Sequence, residues 1–242
     1  MEKDYSTHRS YKYLDVIIVI FVLVLVLSNI ASSAKIIDWG INLGPIPLSF
    51  DAGTILFPIS YIIGDVLTEV YGYKVARRSI WIGFGALAFS AVTFWLVQVL
   101  PGEATWQASV GQETYDQILG SMSNGAIIIA SLAGYFAGSF SNAIIMALMK
   151  VLTKGKMLWS RTIGSTIVGQ AFDTYVFILV ATLLNVFPWS LFWSLTITNY
   201  IFKVVIESGV TPLTYWVVNA LKRSEGIDIF DEDTNLTPFK FH

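Results

Sequence analysis

Residues 14–34 read LDVIIVIFVLVLVLSNIASSA, and this stretch decides the class of the protein. At about 1.5 Å of rise per residue, a helix of this length crosses a hydrocarbon core of about 30 Å. Asp15 is its single charge. The apolar run is too long for the core of a cleavable signal peptide, and no clean small-residue cleavage site follows it. The segment therefore predicts a membrane helix.

The composition of the whole chain agrees with this prediction. The 242 residues are 55% hydrophobic and 13% charged, with a mean hydropathy of +0.64, whereas soluble domains carry roughly a quarter charged residues. There is no cysteine, and His8 and His242 lie in polar tails, so we expect neither a metal site nor a cofactor. The net charge of −2 and the lack of a basic stripe argue against nucleic acid as a partner.

Five further segments resemble the first in length and apolarity, so the sequence predicts an all-α integral membrane protein of six helices in a compact bundle. The predicted spans are Leu14–Ala34, Leu48–Val70, Ile80–Leu100, Gly125–Met149, Ile163–Phe187 and Trp189–Leu221. They form one transporter domain (residues 14–221). Residues 1–13 and 222–242 are predicted to be tails, the second of them loosely ordered.

Basic residues predict the orientation, because Lys and Arg concentrate on the cytoplasmic side. With both tails inside, Lys35 alone lies outside and Lys203 lies within the sixth span. The cytoplasmic side then holds Lys3, Arg9, Lys12, Lys74, Arg77, Arg78, Lys150, Lys154, Lys156, Arg161, Lys222, Arg223 and Lys240.

Charges within the spans point to function, because each costs at least about 2.5–3.5 kcal/mol at the bilayer centre. Asp173 lies near the middle of the fifth span, with Gln170 on the same face. Asn199, Lys203 and Glu207 share one face of the sixth span. Two structural alternatives stay open, an Asp173–Lys203 pair that joins two helices and a Lys203–Glu207 pair within one helix.

Asp65 and Glu69 are spaced four residues apart near the cytoplasmic end of the second span. They are predicted either to contact the substrate or to form ion pairs with the basic loop that holds Lys74, Arg77 and Arg78. The sequence favours substrate contact slightly for Glu69 and a structural role for Asp65.

Small residues on the fourth span predict close helix packing. Gly134 and Gly138 form a GxxxG motif with alanines on both sides, and such motifs let two helix backbones approach. Packing inside one bundle is favoured over a homodimer, which stays open.

Three blocks of sequence together resemble the queuosine precursor transporter family, also called vitamin-uptake-transporter-like. The blocks are Gly64-Asp65…Thr68-Glu69-Val70-Tyr71-Gly72-Tyr73 with Ala76-Arg77-Arg78, Lys154-Gly155-Lys156…Trp159-Ser160-Arg161-Thr162-Ile163…Ser165-Thr166…Gly169-Gln170…Asp173-Thr174, and Asn199-Tyr200…Lys203-Val204…Glu207…Thr211-Pro212-Leu213-Thr214-Tyr215. They occur in this order over most of the membrane region.

This resemblance implies import of 7-cyano-7-deazaguanine or 7-aminomethyl-7-deazaguanine across the bacterial inner membrane. It also implies a fold like the substrate-binding subunits of energy-coupling-factor vitamin importers, acting without ATPase partners. The stretch Ser28–Ala34 lacks the AxxxA face with which those subunits dock. The predicted substrate-binding residues are Asp173, Lys203, Glu207, Gln170, Asn199, Glu69 and Asn142. The predicted gating or structural charges are Asp65, Arg77, Arg78 and Arg161.

Two rival functions differ in class. One is the substrate-binding subunit of an ATP-driven vitamin importer. The other is an intramembrane aspartyl protease with Asp65 and Asp173, although Phe172-Asp173 and Ile62-Ile63-Gly64-Asp65 depart from the Tyr-Asp and Gly-x-Gly-Asp motifs of such enzymes. A carrier that is not an enzyme is favoured over both, and proton coupling through Asp173 stays open.

Overall fold

The computed structural model describes residues 11–43 and 46–240 as helices joined by short connections, with one β-hairpin. The elements are α1 (Leu14–Ala34), β1 (Ile36–Leu43), β2 (Ile46–Asp51), α2 (Phe57–Tyr71), α3 (Tyr73–Val99), α4 (Ala104–Ser109), α5 (Gly111–Leu119), α6 (Gly125–Leu152), α7 (Leu158–Leu183) and α8 (Phe192–Glu225). Short 3-10 turns precede α2, α6 and α8.

Long apolar helices confirm that the chain is a membrane protein. Five stretches of the described chain are long and apolar enough to cross a bilayer: Leu14–Ala34, Tyr73–Val99, Gly111–Leu152, Leu158–Leu183 and Trp189–Glu225. Their outer surfaces carry large apolar side chains, among them Phe89, Trp193 and Trp216. A soluble monomer rarely exposes so much contiguous apolar surface, whereas lipid accommodates it.

The second predicted span was wrong in its first third. Residues 46–51 form strand β2, which pairs antiparallel with β1, and the 3-10 turn Ala52–Ile55 follows. Helix α2 begins only at Phe57 and has 15 residues. Its start agrees with Pro58, since proline is favoured in the first turn of a helix and disfavoured in its interior. The apolar run thus holds a strand, a turn and a short helix.

Glycines bring α6 and α7 together along the centre of the bundle. A Cβ at Gly134 would lie 2.9 Å from the Cβ of Phe177, and one at Gly138 would collide with the side chain of Asp173. On the facing helix, a Cβ at Gly169 would lie 2.7 Å from the Cβ of Asn142. The GxxxG motif therefore packs inside the bundle, as the sequence predicts.

The C-terminal tail docks on the turn between α2 and α3, which corrects the expectation of loose order. Ile227 and Asp231 are buried. Asp231 accepts a hydrogen bond from the backbone N–H of Tyr73 at 2.9 Å, and the Tyr73 hydroxyl donates to the carbonyl of Leu236 at 2.8 Å. The turn itself needs Gly72, whose φ of 82° places it in the left-handed region.

The α6–α7 contact can be tested with two glycine substitutions. Gly138→Ala places a methyl group where it clashes with the side chain and Cα of Asp173. We therefore expect it to destabilise the protein by about 1–3 kcal/mol. The control is Gly85→Ala on α3, where a Cβ meets nothing within 4 Å and alanine favours the helix by up to about 1 kcal/mol. Thermal unfolding in detergent measures both, and equal shifts for the two variants would contradict this packing.

Candidate functional site

A cavity of about 470 Å³ lies among α1, α2, α3, α6, α7 and α8, and we call it the central cavity. Its lining runs from Ser33 and Ser121 at one end to Thr68 and Ala76 at the other. At the first end, the Ser33 hydroxyl donates to the carbonyl of Ile118 at 2.7 Å. Pockets for small molecules commonly have about 300–1,000 Å³, so the volume suits a small ligand.

Six of the seven residues predicted to bind substrate line the central cavity. They are Asp173, Lys203, Glu207, Gln170, Asn199 and Asn142. They come from α6, α7 and α8, far apart in the chain. Their location agrees with the sequence prediction, while their role in binding stays a prediction.

Asp173 and Lys203 form an ion pair between α7 and α8. The Lys203 Nζ lies 2.5 Å from the Asp173 Oδ2, and about a quarter of each side chain is exposed (25% and 26%). The alternative pair of Lys203 with Glu207 does not form. Instead, Glu207 is 3% exposed and accepts a hydrogen bond from the Gln170 Nε2 at 2.7 Å. The cavity therefore offers a positive and a negative group side by side.

Two side-chain amides present acceptors at the same place. The Asn142 Nδ2 donates to the Asp65 Oδ1 at 3.2 Å, as Gln170 does to Glu207. The amide oxygens of Asn142 and Gln170 are buried and have no hydrogen-bond partner within residues 11–43 and 46–240. Buried acceptors usually have partners. A ligand with N–H groups would satisfy both oxygens.

Sequence reasoning missed several polar residues of the cavity lining. Ser28 and Asn29 line it from α1, each with a hydrogen bond to the carbonyl of Leu25. Their signal was available, because they interrupt the most apolar span of the chain. Thr174 also lines the cavity. It directly follows Asp173, yet a threonine in a helix gives little signal by itself.

A second group of charges surrounds Glu69 beyond the Thr68 end of the cavity, and we call Glu69, Arg161, Lys150, Lys222 and Asp228 the charge cluster. The Glu69 carboxylate has no exposed surface and accepts two hydrogen bonds from Arg161, both at 2.7 Å. Lys222 lies 2.5 Å from the same carboxylate, and Lys150 lies 3.6 Å away. The planar guanidinium group of arginine can donate two parallel hydrogen bonds to one carboxylate, as Arg161 does here.

Asp228 in the C-terminal tail completes the charge cluster. Its Oδ1 lies 2.6 Å from Lys150 and 2.8 Å from Lys222. Burial raises the pKa of the Asp228 carboxyl, but hydrogen bonds from the two ammonium groups outweigh burial, so its pKa lies below the ordinary value. The carboxylate therefore stays ionised at neutral pH and helps to balance the three cations.

The predicted partners of Asp65 and Glu69 were wrong. Lys74 and Arg78 are exposed, and Arg77 donates to the backbone carbonyls of residues 235 and 237 in the tail. The turn at Gly72 directs α3 away from the face of α2 that carries the two carboxyls. Glu69 is also absent from the cavity lining, and the cations of α6, α7 and α8 occupy its carboxylate. The geometry thus supports an ion-pairing role for Glu69 in place of substrate contact.

The charge cluster can be tested by neutralising its centre. Glu69→Gln leaves buried cations without their counter-ion, so we expect a loss of about 3–5 kcal/mol of stability. Glu232→Gln is the matched control, because Glu232 is exposed in the same tail region. Thermal unfolding of the two purified variants compares them, and equal melting temperatures would show that the cluster contributes nothing.

Comparison with known proteins agrees with this geometry. The family model described as "Putative vitamin uptake transporter" matches residues 51–217, a range that includes every charged residue of the cavity. A protein of Bacillus subtilis (strain 168) named "Probable queuosine precursor transporter" is 29% identical over 169 residues, which is 69% of this chain and 71% of that protein.

A Haemophilus influenzae protein of the same name is 28% identical over 169 residues, 69% of this chain and 67% of its own. No solved structure shows a significant match. The family and both relatives are transporters, which overturns the protease alternative, so the chain is a transporter of a small molecule and not an enzyme. The chain belongs to the vitamin uptake transporter family.

Proposed function

We propose that the protein imports 7-deazapurine precursors of queuosine, such as 7-cyano-7-deazaguanine, across the bacterial inner membrane. Two relatives carry the name of queuosine precursor transporters. The observation that carries the proposal is the central cavity itself, which is lined by the Asp173–Lys203 pair and by two amides whose oxygens have no hydrogen-bond partner in the described part of the chain. The imported base would serve salvage into modified tRNA.

The hydrogen-bonding groups of the cavity complement a deazaguanine. Its pairing edge has two adjacent N–H donors beside a carbonyl acceptor. The Asp173 carboxylate would accept the two donors and the Lys203 ammonium would donate to the carbonyl. The oxygen of Gln170 would accept a further N–H group, and the Asn142 amide would form one more hydrogen bond with the base. Phe177 and Tyr135 also line the cavity, and their rings would cover the faces of the base.

The arrangement also suggests how the two ends of the cavity differ. We propose six membrane helices, with α2 as the short one, and both termini in the cytoplasm. The charge cluster and the docked tail then close the cytoplasmic end, while Ser33 and Ser121 mark the outer end. Transport would require the ion pairs of Glu69 to separate so that the base can leave. We expect this to occur without ATPase subunits, because α1 lacks an AxxxA docking face.

The proposed orientation predicts the location of two reporters. A reporter fused after His242 should be active in the cytoplasm, and one inserted near Gln112 in α5 should be active outside, because basic residues concentrate on the cytoplasmic side. Alkaline phosphatase and green fluorescent protein fusions distinguish the two compartments. A reversed result at either position would overturn the six-helix arrangement.

Ligand binding tests the substrate and the site together. The purified protein should bind 7-deazapurines in preference to purines and vitamins. Gln170→Ala should weaken binding by about 1–3 kcal/mol because a ligand N–H loses its acceptor, and Lys203→Ala should abolish uptake. Isothermal titration measures the affinities.

Gln117→Ala is the matched control for the Gln170 substitution, because Gln117 is exposed on α5, outside the cavity lining. Equal affinities for the two glutamine variants would remove Gln170 from the site. Preferential binding of a vitamin would refute the proposed substrate class.

A further inference from the structure

Asp65 is a buried carboxyl group with an exposed fraction of 1%. It accepts a hydrogen bond from the Asn142 Nδ2, and within the described part of the chain it forms no ion pair. Glu69, one turn along the same helix, has three cations around it. The two carboxyls of α2 therefore differ sharply in charge compensation.

The charged groups around Asp65 do not replace the missing cation. The ionisable groups that act on it are two further carboxyls, Glu207 on α8 and, more weakly, Glu69 on α2. On the other packed elements, α6 carries Lys150 and α3 carries Arg77, and each of these cations is held elsewhere, in the charge cluster and by the tail. Helix α1 contributes the uncharged Ser28 and Asn29 to this region.

A count of charges at the cavity leads to the same point. Among the described residues, the cavity lining holds two carboxyls, Asp173 and Glu207, and one ammonium, Lys203, which already pairs with Asp173. Asp65 lies behind this lining, in contact with the lining residue Asn142. Ionising an uncompensated carboxyl in an apolar interior is so unfavourable that the group binds a proton instead. The buried Glu207, which forms no ion pair in the described part of the chain, adds repulsion that favours the protonated form of Asp65.

We propose that Asp65 binds a proton, received through Glu207, that moves inward with each neutral base. This inference rests on the proposed function. The proton passes from hydronium in the outer water through the cavity to Glu207, which lines it, and on to Asp65. It returns to water on the cytoplasmic side once the charge cluster opens. Hydronium loses an O–H bond outside as the carboxyl O–H forms, and water gains one inside as the carboxyl O–H breaks.

Asn142 links this proton to the substrate. An ionised carboxylate only accepts, so it attracts the amide nitrogen of Asn142 and leaves the amide oxygen for the ligand. A protonated Asp65 carries an O–H that can donate to that oxygen, and the amide then turns its N–H₂ towards the cavity. The proton thus decides whether Asn142 offers an acceptor or a donor to the ligand.

The test uses the full-length protein in liposomes with 7-cyano-7-deazaguanine as the probe. A gradient of one pH unit, acidic outside, should support up to about tenfold accumulation if one proton accompanies each neutral base. Asp65→Asn should still exchange labelled for unlabelled base, more slowly than wild type because Asn142 loses its carboxyl partner, but should not accumulate it. Asp233→Asn in the exposed part of the tail is the control and should do both.

Three outcomes would overturn the proton site. These are accumulation by Asp65→Asn equal to wild type, wild-type exchange without a response to the pH gradient, and a response to a sodium gradient instead. A pH-sensitive dye trapped in wild-type liposomes gives a measurement that needs no variant. Addition of 7-cyano-7-deazaguanine outside should lower the pH of the interior. If wild type neither binds nor exchanges any deazapurine, the proposed function itself fails, and this inference fails with it.

Discussion

The Glu69 carboxylate, which has no exposed surface, pairs with cations of α6, α7 and α8, and two of these cations also pair with Asp228 of the C-terminal tail. Removing charges from water costs several kcal/mol per ion, and ion pairs compensate for this only when their hydrogen bonds are complete. Arg161 and Lys222 provide these hydrogen bonds, since Arg161 donates two and Lys222 donates one to the Glu69 carboxylate. Asp228 adds a second negative charge for Lys150 and Lys222. The end of the bundle and the tail therefore depend on each other, since the cations lose part of their compensation when the tail leaves.

Helix α2 shows how one apolar element can serve two purposes. Its last turns hold Glu69, where charge is fully compensated, and the turn before holds Asp65, where it is not. The first arrangement favours a fixed structure because separating the ions is costly. In the proposed mechanism the second holds a proton, because no cation in the described part of the chain pairs with Asp65. The two carboxyls lie four residues apart on one helix and differ in the charges around them.

Hydropathy was sufficient for α1, because its apolar run over residues 16–27 is uninterrupted and has charged or polar residues on both sides. It was insufficient for residues 46–56, since a short apolar run does not distinguish a strand from a helix. The location of Asp173, Lys203 and Glu207 at the cavity could be predicted because charges within a membrane span are costly and therefore conspicuous in the sequence. Their pairing could not be predicted. Lys203 pairs with Asp173 and not with Glu207 because of the way α7 packs against α8, which the sequence does not show. The docking of the tail was missed because its composition is polar, which is typical of unpacked tails. The tail is held by specific hydrogen bonds, such as the one from the N–H of Tyr73 to Asp231, and these cannot be read from composition.

The glycine contacts explain why site and cluster act on the same helices. Gly138 and Gly169 bring α6 and α7 together, so Asn142 and Asp173 reach the cavity from one closely packed pair of helices. Their partners Asp65 and Lys203 come from α2 and α8. The charge cluster repeats this division, because Lys150 and Arg161 belong to α6 and α7 while Glu69 and Lys222 belong to α2 and α8. The Asp173–Lys203 pair and the contacts of Glu69 with Lys150 and Arg161 therefore together join the α6–α7 pair to helices α2 and α8. The cavity and the cytoplasmic end of the proposed transporter thus depend on the same contact between helices.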